Sequence, residues 1–493
     1  MLFMYLPPWA QQFKEPRTEI KCIKGAYYKY EVRYQYNKDK KRTDKITVRL
    51  LGKITQAEGF IASDKDLIRQ QLSELPKVDI KTFGVYHLFS SLLSQQIASL
   101  SEAFKQEVVE VLLCFSMMRW AYQSPIKRAG NYHTHDFCSE YWHKRTLSDK
   151  KISEALKFIG ENREAVMAWM RSQLPGSKTV HNQFVMMDST HVSSVSENLG
   201  INAKGYNPNH DYDKQIRLLY LFAAELKQPV YYRLINGNIT DIKSMALCVK
   251  EMEVGHVVFI ADKGFYSKKN IELLQEQKLH YIIPIHRNNK IINFSPLEKA
   301  AFKKTVKTYF AYQDRIIWHY EYQREGQNIV TFLDEKLRVK EESDYLLRIQ
   351  KYPETHSEDR YYDKLHSFGT LSIVYDLEGS PTPQQLYEAY KQRNEIEVMF
   401  DSYKNFLAAD KTFMQDRHVL EGWLMANFIA MIAYYKLFWR LKEAKLLSHY
   451  APKDIIELSK SIYQMKINGQ WLCSEITEKT KTLFKKIKID YLK

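Results

Sequence analysis

Cysteine is scarce in this sequence, and the few that occur form no disulfide pattern. The 493 residues include an odd, scattered set without a C-x-x-C pair: Cys22, Cys114, Cys138, Cys248 and Cys473. Small secreted proteins that depend on disulfides carry dense, even sets instead. The start of the chain lacks a basic stretch, and Pro7 and Pro8 interrupt its short apolar run, so no secretory signal is predicted. We therefore expect a cytoplasmic protein.

Other absences narrow the range of chemistry. The sequence contains no G-x-x-x-x-G-K-[ST] loop and no G-x-S-x-G elbow, so neither ATP binding nor a serine nucleophile is implied. The one long apolar stretch, 419–439, contains Glu421 and Lys436. Because a charge at the centre of a membrane costs about 2.5–3.5 kcal/mol, this stretch predicts a buried helix and no membrane contact.

Positive charge is what the sequence has in excess. It carries 73 Lys+Arg against 58 Asp+Glu, a formal net charge of +15, which favours polyanionic partners. Apolar residues make up 45% and aromatic residues 13%, enough for packed cores, so wholesale disorder is excluded. The length predicts several domains, or one domain with a large insertion.

The N-terminal part predicts a β-hairpin with a basic tip. Residues 20–55 alternate with a period of two, and the alternation breaks at 37–42. One face of the first strand is expected to carry Tyr28, Tyr30, Val32, Tyr34 and Tyr36, and the second strand Ile46, Val48 and Leu50. At the tip, Lys40, Lys41 and Arg42 are candidates for DNA binding, and a solvated turn is the equal alternative.

From about residue 79 to residue 174 the apolar spacing becomes helical. His133, His135, Cys138 and His143 stand close together in this part of the chain. Their spacing follows no common zinc pattern, so we expect them to be polar residues of a surface loop.

Strand-like apolar runs follow, and two of them lead into aspartates. The run 184–187 precedes Asp188, and the run 257–260 precedes Ala261 and Asp262. Further strands are predicted at 216–224 and 230–234. We expect the first three strands to form a meander and the fourth to add in parallel, as in mixed α/β sheets.

The next segments predict strands and then a capped helix. Residues 291–370 are expected to be mostly strands, followed by a strand at 371–375. Thr382 suits the N-cap, Pro383 the first helical position and Gln385 the third, completing a capping box. A long helix from Pro383 to Leu407 is therefore predicted.

This helix presents a polar stripe. At about 100° per residue, Tyr390, Arg393, Glu397 and Lys404 share one narrow edge. Together with the two strand aspartates, the glutamate makes an oxygen-only site that suits Mg²⁺ or Mn²⁺, and two such ions clamp the oxygens of a phosphoryl transfer. The arginine and lysine are expected to neutralise phosphates, and the tyrosine to donate a hydrogen bond to one.

These residues resemble a known family. Tyr390, Arg393, Glu397 and Lys404 match the Y-x2-R-x3-E-x6-K signature of DDE transposases in the insertion-sequence-four group. The segments M-D-S-T-H, N-G-N-I-T-D and A-D-K-G-F-Y-S, at 187–191, 236–241 and 261–267, are similar to other segments of that family. The resemblance spans roughly residues 180–440.

The resemblance implies a ribonuclease-H-like α/β catalytic core whose mixed sheet carries a β-rich insertion. Its catalytic and metal-binding triad corresponds to Asp188, Asp262 and Glu397. It implies a bacterial, nucleoid-associated transposase that cleaves transposon ends with two Mg²⁺ or Mn²⁺ ions. The ends form hairpins and join target DNA, and the enzyme acts on double-stranded DNA as a homodimer in a synaptic complex.

The resemblance also suggests a role for one tryptophan. In some relatives a Trp of the insertion stacks on a flipped base, and Trp318 is the candidate here. Stacking on a base supplies about 1–3 kcal/mol. A position in the packed core is the alternative for this residue.

Six segments are predicted in all. They are a basic β-hairpin region at 1–75, a helical DNA-binding region at 76–180, a first core part at 181–290, the β-rich insertion at 291–370, a second core part at 371–440 and a helical basic region at 441–493. Two alternatives to a transposase remain open. One is a metal-dependent nuclease on the same fold, and the other is a non-catalytic DNA-binding inhibitor of transposition.

Overall fold

The structure is a computed structural model. It describes residues 6–37, 41–68, 78–173, 183–204, 214–237, 245, 248, 251, 257–298, 302–467 and 469–490. The chain divides into two compact units: Met1–Ile80 with Met465–Leu472, and Lys81–Gln464 with Cys473–Lys493. Apart from residues 76–80, the segments predicted as helical region, catalytic core and insertion therefore share the second unit.

The helices and strands occur in runs along the described chain, with mainly strands up to Thr82, helices from Gly84 to Ser172 and mixed elements after Gln183. The strands are β1 Thr18–Ile23, β2 Ala26–Asn37, β3 Arg42–Thr55, β4 Gly59–Ala62, β5 Val78–Thr82, β6 Gln183–Ser194, β7 Gln215–Ala223, β8 Gln228–Asn236, β9 Val257–Ala261, β10 His280–Ile285, β11 Tyr309–Tyr312, β12 Arg315–Arg324, β13 Gln327–Asp334, β14 Thr370–Asp376, β15 Lys411–Thr412, β16 Tyr463–Ile467 and β17 Gln470–Cys473. The helices are α1 Pro8–Gln11, α2 Gly84–Leu92, α3 Ser94–Ala103, α4 Gln106–Tyr122, α5 Ile126–His135, α6 Cys138–Tyr141, α7 Asp149–Glu161, α8 Arg163–Ser172, α9 Lys268–Glu276, α10 Ser295–Glu298, α11 Phe302–Thr305, α12 Glu335–Lys351, α13 Glu358–Lys364, α14 Pro383–Lys391, α15 Asn394–Asp401, α16 Arg417–Glu443, α17 Pro452–Lys460 and α18 Glu478–Lys486.

The first unit contains an antiparallel sheet in the order β1-β2-β3-β4. The predicted hairpin is confirmed as β2 and β3. The predicted alternation of its second strand is wrong, because β3 bulges at Val48 and at Leu51, which have no partner in the register. A single extra residue reverses the faces of a strand, so Ile46 and Leu50 lie on opposite faces.

The second unit is built around one large mixed sheet. Its order is β11-β12-β13-β14-β10-β9-β6-β7-β8, and β15 pairs with β6. The predicted meander is confirmed, since β6, β7 and β8 pair antiparallel in chain order and β9 adds to β6 in parallel. Every residue of β9 is buried, as expected for a parallel strand with both faces covered.

Helices cover this sheet, and the long helix α16 is mostly buried. It packs against α4, α7 and β8, and it contains the apolar stretch that the sequence predicts as a buried helix. Among the helices in the described ranges, none is long and apolar enough to cross a membrane.

Two glycines allow α7 and α16 to approach backbone to backbone. A Cβ atom on Gly160 would lie 2.0 Å from the carbonyl oxygen of His418, and one on Gly422 would lie 2.0 Å from that of Leu156. Both distances are far below van der Waals contact. The crossing of these helices therefore requires the absence of a side chain at both positions.

The insertion differs from its prediction in its second half. The strands expected within residues 291–370 are present as β11, β12 and β13, but α12 and α13 follow them. The Asp334 carboxylate accepts a hydrogen bond from the Leu337 amide at 3.1 Å and starts α12 as its N-cap. In the C-terminal region, β16 and β17 likewise interrupt the predicted helices.

Candidate active site

The two aspartates occupy equivalent places on neighbouring parallel chain segments. In the pairing of β6 with β9, Met187 lies opposite Ala261, so Asp188 is the next residue of β6 and Asp262 is the residue that directly follows β9. The position of Asp188 corrects the prediction in one respect. Its strand does not end there but continues to Ser194, where it pairs with β7 and β15.

The predicted single helix from Pro383 to Leu407 is interrupted. Its start is confirmed, because Thr382 and Gln385 form the capping box. However, α14 ends at Lys391, and the Arg393 amide bonds to the Tyr390 carbonyl three residues earlier, at 3.0 Å. Such a bond is typical of a 3₁₀ turn, which rotates more per residue than an α-helix.

A second irregularity follows α15. Residues Ser402–Phe406 form a π-helical turn, closed by a hydrogen bond from the Leu407 amide to the Ser402 carbonyl at 3.3 Å. A π-turn rotates less per residue than an α-helix. The predicted polar stripe assumes 100° per residue throughout, so the side-chain alignment that it gives is wrong beyond Asp401.

Arg393 lies at the centre of the site and contacts all three predicted carboxylates. Its Nη1 atom is 3.6 Å from Asp188 Oδ2 and 3.9 Å from Asp262 Oδ1, and its Nη2 atom bonds the Glu397 carboxylate. The arginine side chain is only 13% exposed. One guanidinium thus gathers carboxylates from β6, from the end of β9 and from α15.

Electrostatics at this site reflect that arrangement. Burial acts to lower the pKa of the Arg393 guanidinium, but the charges of Asp262, Asp188 and Glu397, together with the Tyr390 phenol, outweigh burial and raise the pKa. Burial raises the pKa of Tyr390. The arginine therefore stays charged. With Arg393 among them, the possible ligand oxygens of the three carboxylates do not all lie within 4.8 Å of one another.

Lys404 does not join this group. It lies in the π-turn, where burial lowers the pKa of its ammonium and the charges of Asp410 and Asp401 act in the opposite direction. In the described part of the chain, no ion pair connects it to Asp188, Asp262 or Glu397. The predicted common stripe thus holds for Tyr390, Arg393 and Glu397 only.

A basic groove adjoins the carboxylates. It has a volume of about 760 Å³, and the side chains around it include Asp262, Arg393, Lys263, Lys364 and Arg287, the last paired with Glu341 of the same groove at 2.8 Å. Lys364 belongs to the insertion, which sequence patterns did not connect with the site. Cations from several elements therefore face the space next to Asp262.

Arg119 is a supporting residue that the sequence analysis missed. It lies buried on α4 and donates hydrogen bonds to the Asn427 side chain, at 3.0 Å, and to the Leu407 carbonyl. Gln123 donates to the neighbouring Phe406 carbonyl. Burial lowers the pKa of Arg119 to about 10. The available signal was an arginine inside an apolar helix, since a buried cation needs acceptors.

The remaining predicted residues lie elsewhere. Trp318 is partly buried on β12, where its Nε1 donates to Glu335 at 3.0 Å and its ring contacts Phe302 and Tyr309. At the hairpin tip, Lys41 is exposed, and Arg42 pairs with Asp44 at 2.9 Å. Lys40 lies outside the described residues.

Comparison with known proteins adds a family. Residues 181–433, half of the chain, match the family model described as Transposase DDE domain. No curated protein matches the sequence. Among solved structures, the chain is similar to the piggyBac transposase in a cryo-EM synaptic complex with hairpin DNA, at 11% identity and a TM-score of 0.39. That similarity covers 72% of this chain and 70% of the other.

Proposed function

Because the chain belongs to the transposase DDE-domain family, we propose that it is a cut-and-paste transposase of the insertion-sequence-four type. Family membership makes it a DNA transposase. The proposal adds the catalytic residues, the hairpin route, the homodimer and the bacterial nucleoid. The observation that carries it is the contact of one guanidinium, Arg393, with carboxylates at positions 188, 262 and 397.

Asp188, Asp262 and Glu397 are the proposed catalytic triad and metal ligands. Members of this family use divalent metal ions, and an oxygen-only donor set fits Mg²⁺ or Mn²⁺. Two such ions, when bound, stabilise the attacking and leaving oxygens of a phosphoryl transfer. The ribonuclease-H-like classification of the core belongs to the same proposal, and the parallel neighbours β6 and β9 support it.

Arg393 has two proposed tasks. Three carboxylates in one site repel each other, and the guanidinium between them offsets that repulsion. Its planar fork also suits bidentate binding of a phosphate group, once DNA competes for it. The Tyr390 hydroxyl is proposed to donate a hydrogen bond to the same phosphate.

The basic groove is the proposed path of the DNA backbone. Lys263 and Lys364 face it next to Asp262, together with the Arg287–Glu341 ion pair, and the positive side chains there attract the phosphates that the carboxylates would repel. Trp318 is proposed to stack on a flipped base during hairpin formation. Its partial burial leaves part of the indole surface accessible for that contact.

Incubation with DNA from the flanks of its own gene tests this function. We expect cleavage at the ends in Mg²⁺, none in EDTA, and products of doubled length on a denaturing gel, as hairpins give. A scrambled flank serves as the control. Cleavage of both DNAs alike, without joining to a target plasmid, would favour the nuclease. Binding without cleavage in either metal would favour the inhibitor.

The two predicted phosphate-binding cations are expected to differ. Arg393→Ala should slow end cleavage by at least about 10²-fold, because it removes a preorganised charge that touches all three carboxylates. Lys404→Ala should reduce DNA affinity with a smaller effect on the cleavage rate. Single-turnover cleavage and fluorescence anisotropy measure the two quantities.

Lys391→Ala is the matched control for both. Its ammonium lies over the Tyr387 ring at 5.0 Å, so the change removes one cation from the same stretch of chain but none from the carboxylates. Equal cleavage rates for Arg393→Ala and Lys391→Ala would contradict the role assigned to Arg393.

Removal of the cations at the hairpin tip tests whether the β-hairpin binds DNA. Replacing Lys40, Lys41 and Arg42 by Ala should weaken DNA binding and flatten its dependence on salt, by about one slope unit per lost phosphate contact. The comparison variant replaces Lys340, Arg348 and Lys351, three exposed cations of α12. An unchanged slope, or the same change in both variants, would assign the tip to a solvated turn.

A further inference from the structure

A group of metal-binding side chains lies in helices that supply none of the three carboxylates. Cys114 belongs to α4, His133 to α5, and Cys138 begins α6. One ligand atom from each lies within 4.8 Å of the other two, and all three residues are buried. The packing of three consecutive helices therefore brings two thiols and one imidazole together inside the protein.

The structure overturns the predicted surface loop at this point. His133, Cys138 and His143 are buried, and His135 is exposed. The sequence pattern lacked its first member, because Cys114 comes from the preceding helix and 18 residues separate it from His133. The full set reads C-x18-H-x4-C-x4-H, which only the packing of α4 against α5 reveals.

The imidazole of His133 has an unused acceptor. Its Nε2 atom is buried, with no hydrogen-bond partner among the described residues. The ring has a backbone hydrogen bond with His143, which leaves Nε2 as the nitrogen with the available lone pair. Ligating histidines commonly use the second ring nitrogen in this way, to fix the tautomer and the ring orientation.

We infer that Cys114, His133 and Cys138 bind a structural zinc ion, with His143 as the fourth ligand. The Nε2 atom of His143 is likewise buried without a partner among the described residues, and its ring centroid lies 5.9 Å from that of His133. Bond lengths of about 2.0–2.3 Å to a tetrahedral zinc place neighbouring ligand atoms about 3.4–3.8 Å apart. For Cys114, His133 and Cys138, shifts of about one ångström reach that spacing from separations of at most 4.8 Å. His143 lies outside that close group and has to turn further toward it to complete the tetrahedron.

The charge balance also suits this ion. Binding releases one proton from each thiol, and the charges of the two thiolates balance that of Zn²⁺. The buried Asp136 carboxyl group lies beside them and accepts a hydrogen bond from the Cys138 amide at 2.9 Å. Soft thiolate and imidazole ligands favour zinc over the hard Mg²⁺ that suits the carboxylates. The two metal sites of the chain thus differ in chemistry as well as in position.

Zinc here would fasten α4 to α5 and α6. Arg119 and Gln123 follow Cys114 along α4 and its end, and they hold the Leu407 and Phe406 carbonyls after α15. The ion therefore belongs to the scaffold behind the helix that carries Glu397. Its loss is expected to affect stability first and cleavage second.

Metal analysis of the full-length protein, purified without added metal, tests the inference. We expect about one zinc per chain in wild type, in Glu397→Gln and in Cys248→Ser, the last being a control for loss of a buried thiol. Cys114→Ser and Cys138→Ser should lower zinc affinity by more than about 100-fold. His143→Asn should also lower it, and unchanged affinity would overturn the assignment of the fourth ligand.

Measurements on the wild-type protein test the inference even where a variant fails to fold. A strong chelator should lower the midpoint of thermal denaturation, and Zn²⁺ but not Mg²⁺ should restore it. Co²⁺ in place of zinc should give the intense visible absorption of a tetrahedral thiolate site. Wild type without zinc and without these responses would overturn the inference, as would a Cys114–Cys138 disulfide detected by thiol titration and mass.

Discussion

Glu397→Gln is expected to reduce metal-dependent end cleavage by at least about 10³-fold, with DNA affinity nearly unchanged. Gln keeps the size of the side chain but removes the negative charge that α15 contributes beside Asp188 and Asp262. The Glu397 side chain is 52% exposed, so its contact with Arg393 adds little to folding. A cleavage assay, anisotropy and thermal denaturation separate the three effects.

Glu395→Gln provides the matched control. It makes the same chemical change on the same helix, at a residue whose carboxylate lies 3.9 Å from Lys442. We expect cleavage close to wild type in that variant. Retained cleavage in Glu397→Gln would remove Glu397 from the triad, and an equal loss in Glu395→Gln would point to damage of α15 as a whole.

Gly422→Ala is expected to destabilise the protein by about 3 kcal/mol, at the upper end of the usual cost of overpacking. The added methyl group would meet the Leu156 carbonyl at 2.0 Å, and a backbone atom cannot rotate away. Gly160→Ala should act similarly through the His418 carbonyl. Midpoints of thermal and urea denaturation measure the effect.

The double variant makes this prediction sharper. Both methyl groups force the same two helices apart. The second substitution should therefore lower the free energy of unfolding by less than the first, and the two effects should not add. Gly200→Ala is the control, because no atom lies within 4 Å of its added Cβ. Additive losses, or midpoints equal to those of Gly200→Ala, would contradict close contact between α7 and α16.

Local signals in the sequence predicted the local structure around the site. Apolar runs predicted β6 and β9, and the capping box at Thr382 predicted the start of α14. These signals depend on residues a few positions apart, so a single sequence contains them. The bulges at Val48 and Leu51 have no such signal, because they depend on how β3 pairs with β2.

The limits of prediction are clearest in the helix that carries Glu397. The spacing of Tyr390, Arg393 and Glu397 survives the break after Lys391, since these residues lie within about two turns. Lys404 lies beyond the π-turn, where the rotation per residue changes, and its predicted alignment fails. The proximity of Cys114 to His133 likewise could not be predicted from the sequence, because tertiary packing brings the two residues together.

The large sheet has a consequence for how the protein can diverge. The aspartates lie on β6 and at the end of β9, in its interior, whereas β11, β12 and β13 are added outside β14 at one border. The outermost strand, β11, pairs only with β12 among the described strands. A lineage can therefore lengthen or shorten the turn at Gln313 without shifting the register of the aspartates. Change in this turn is thus only weakly tied to the positions of the two aspartates.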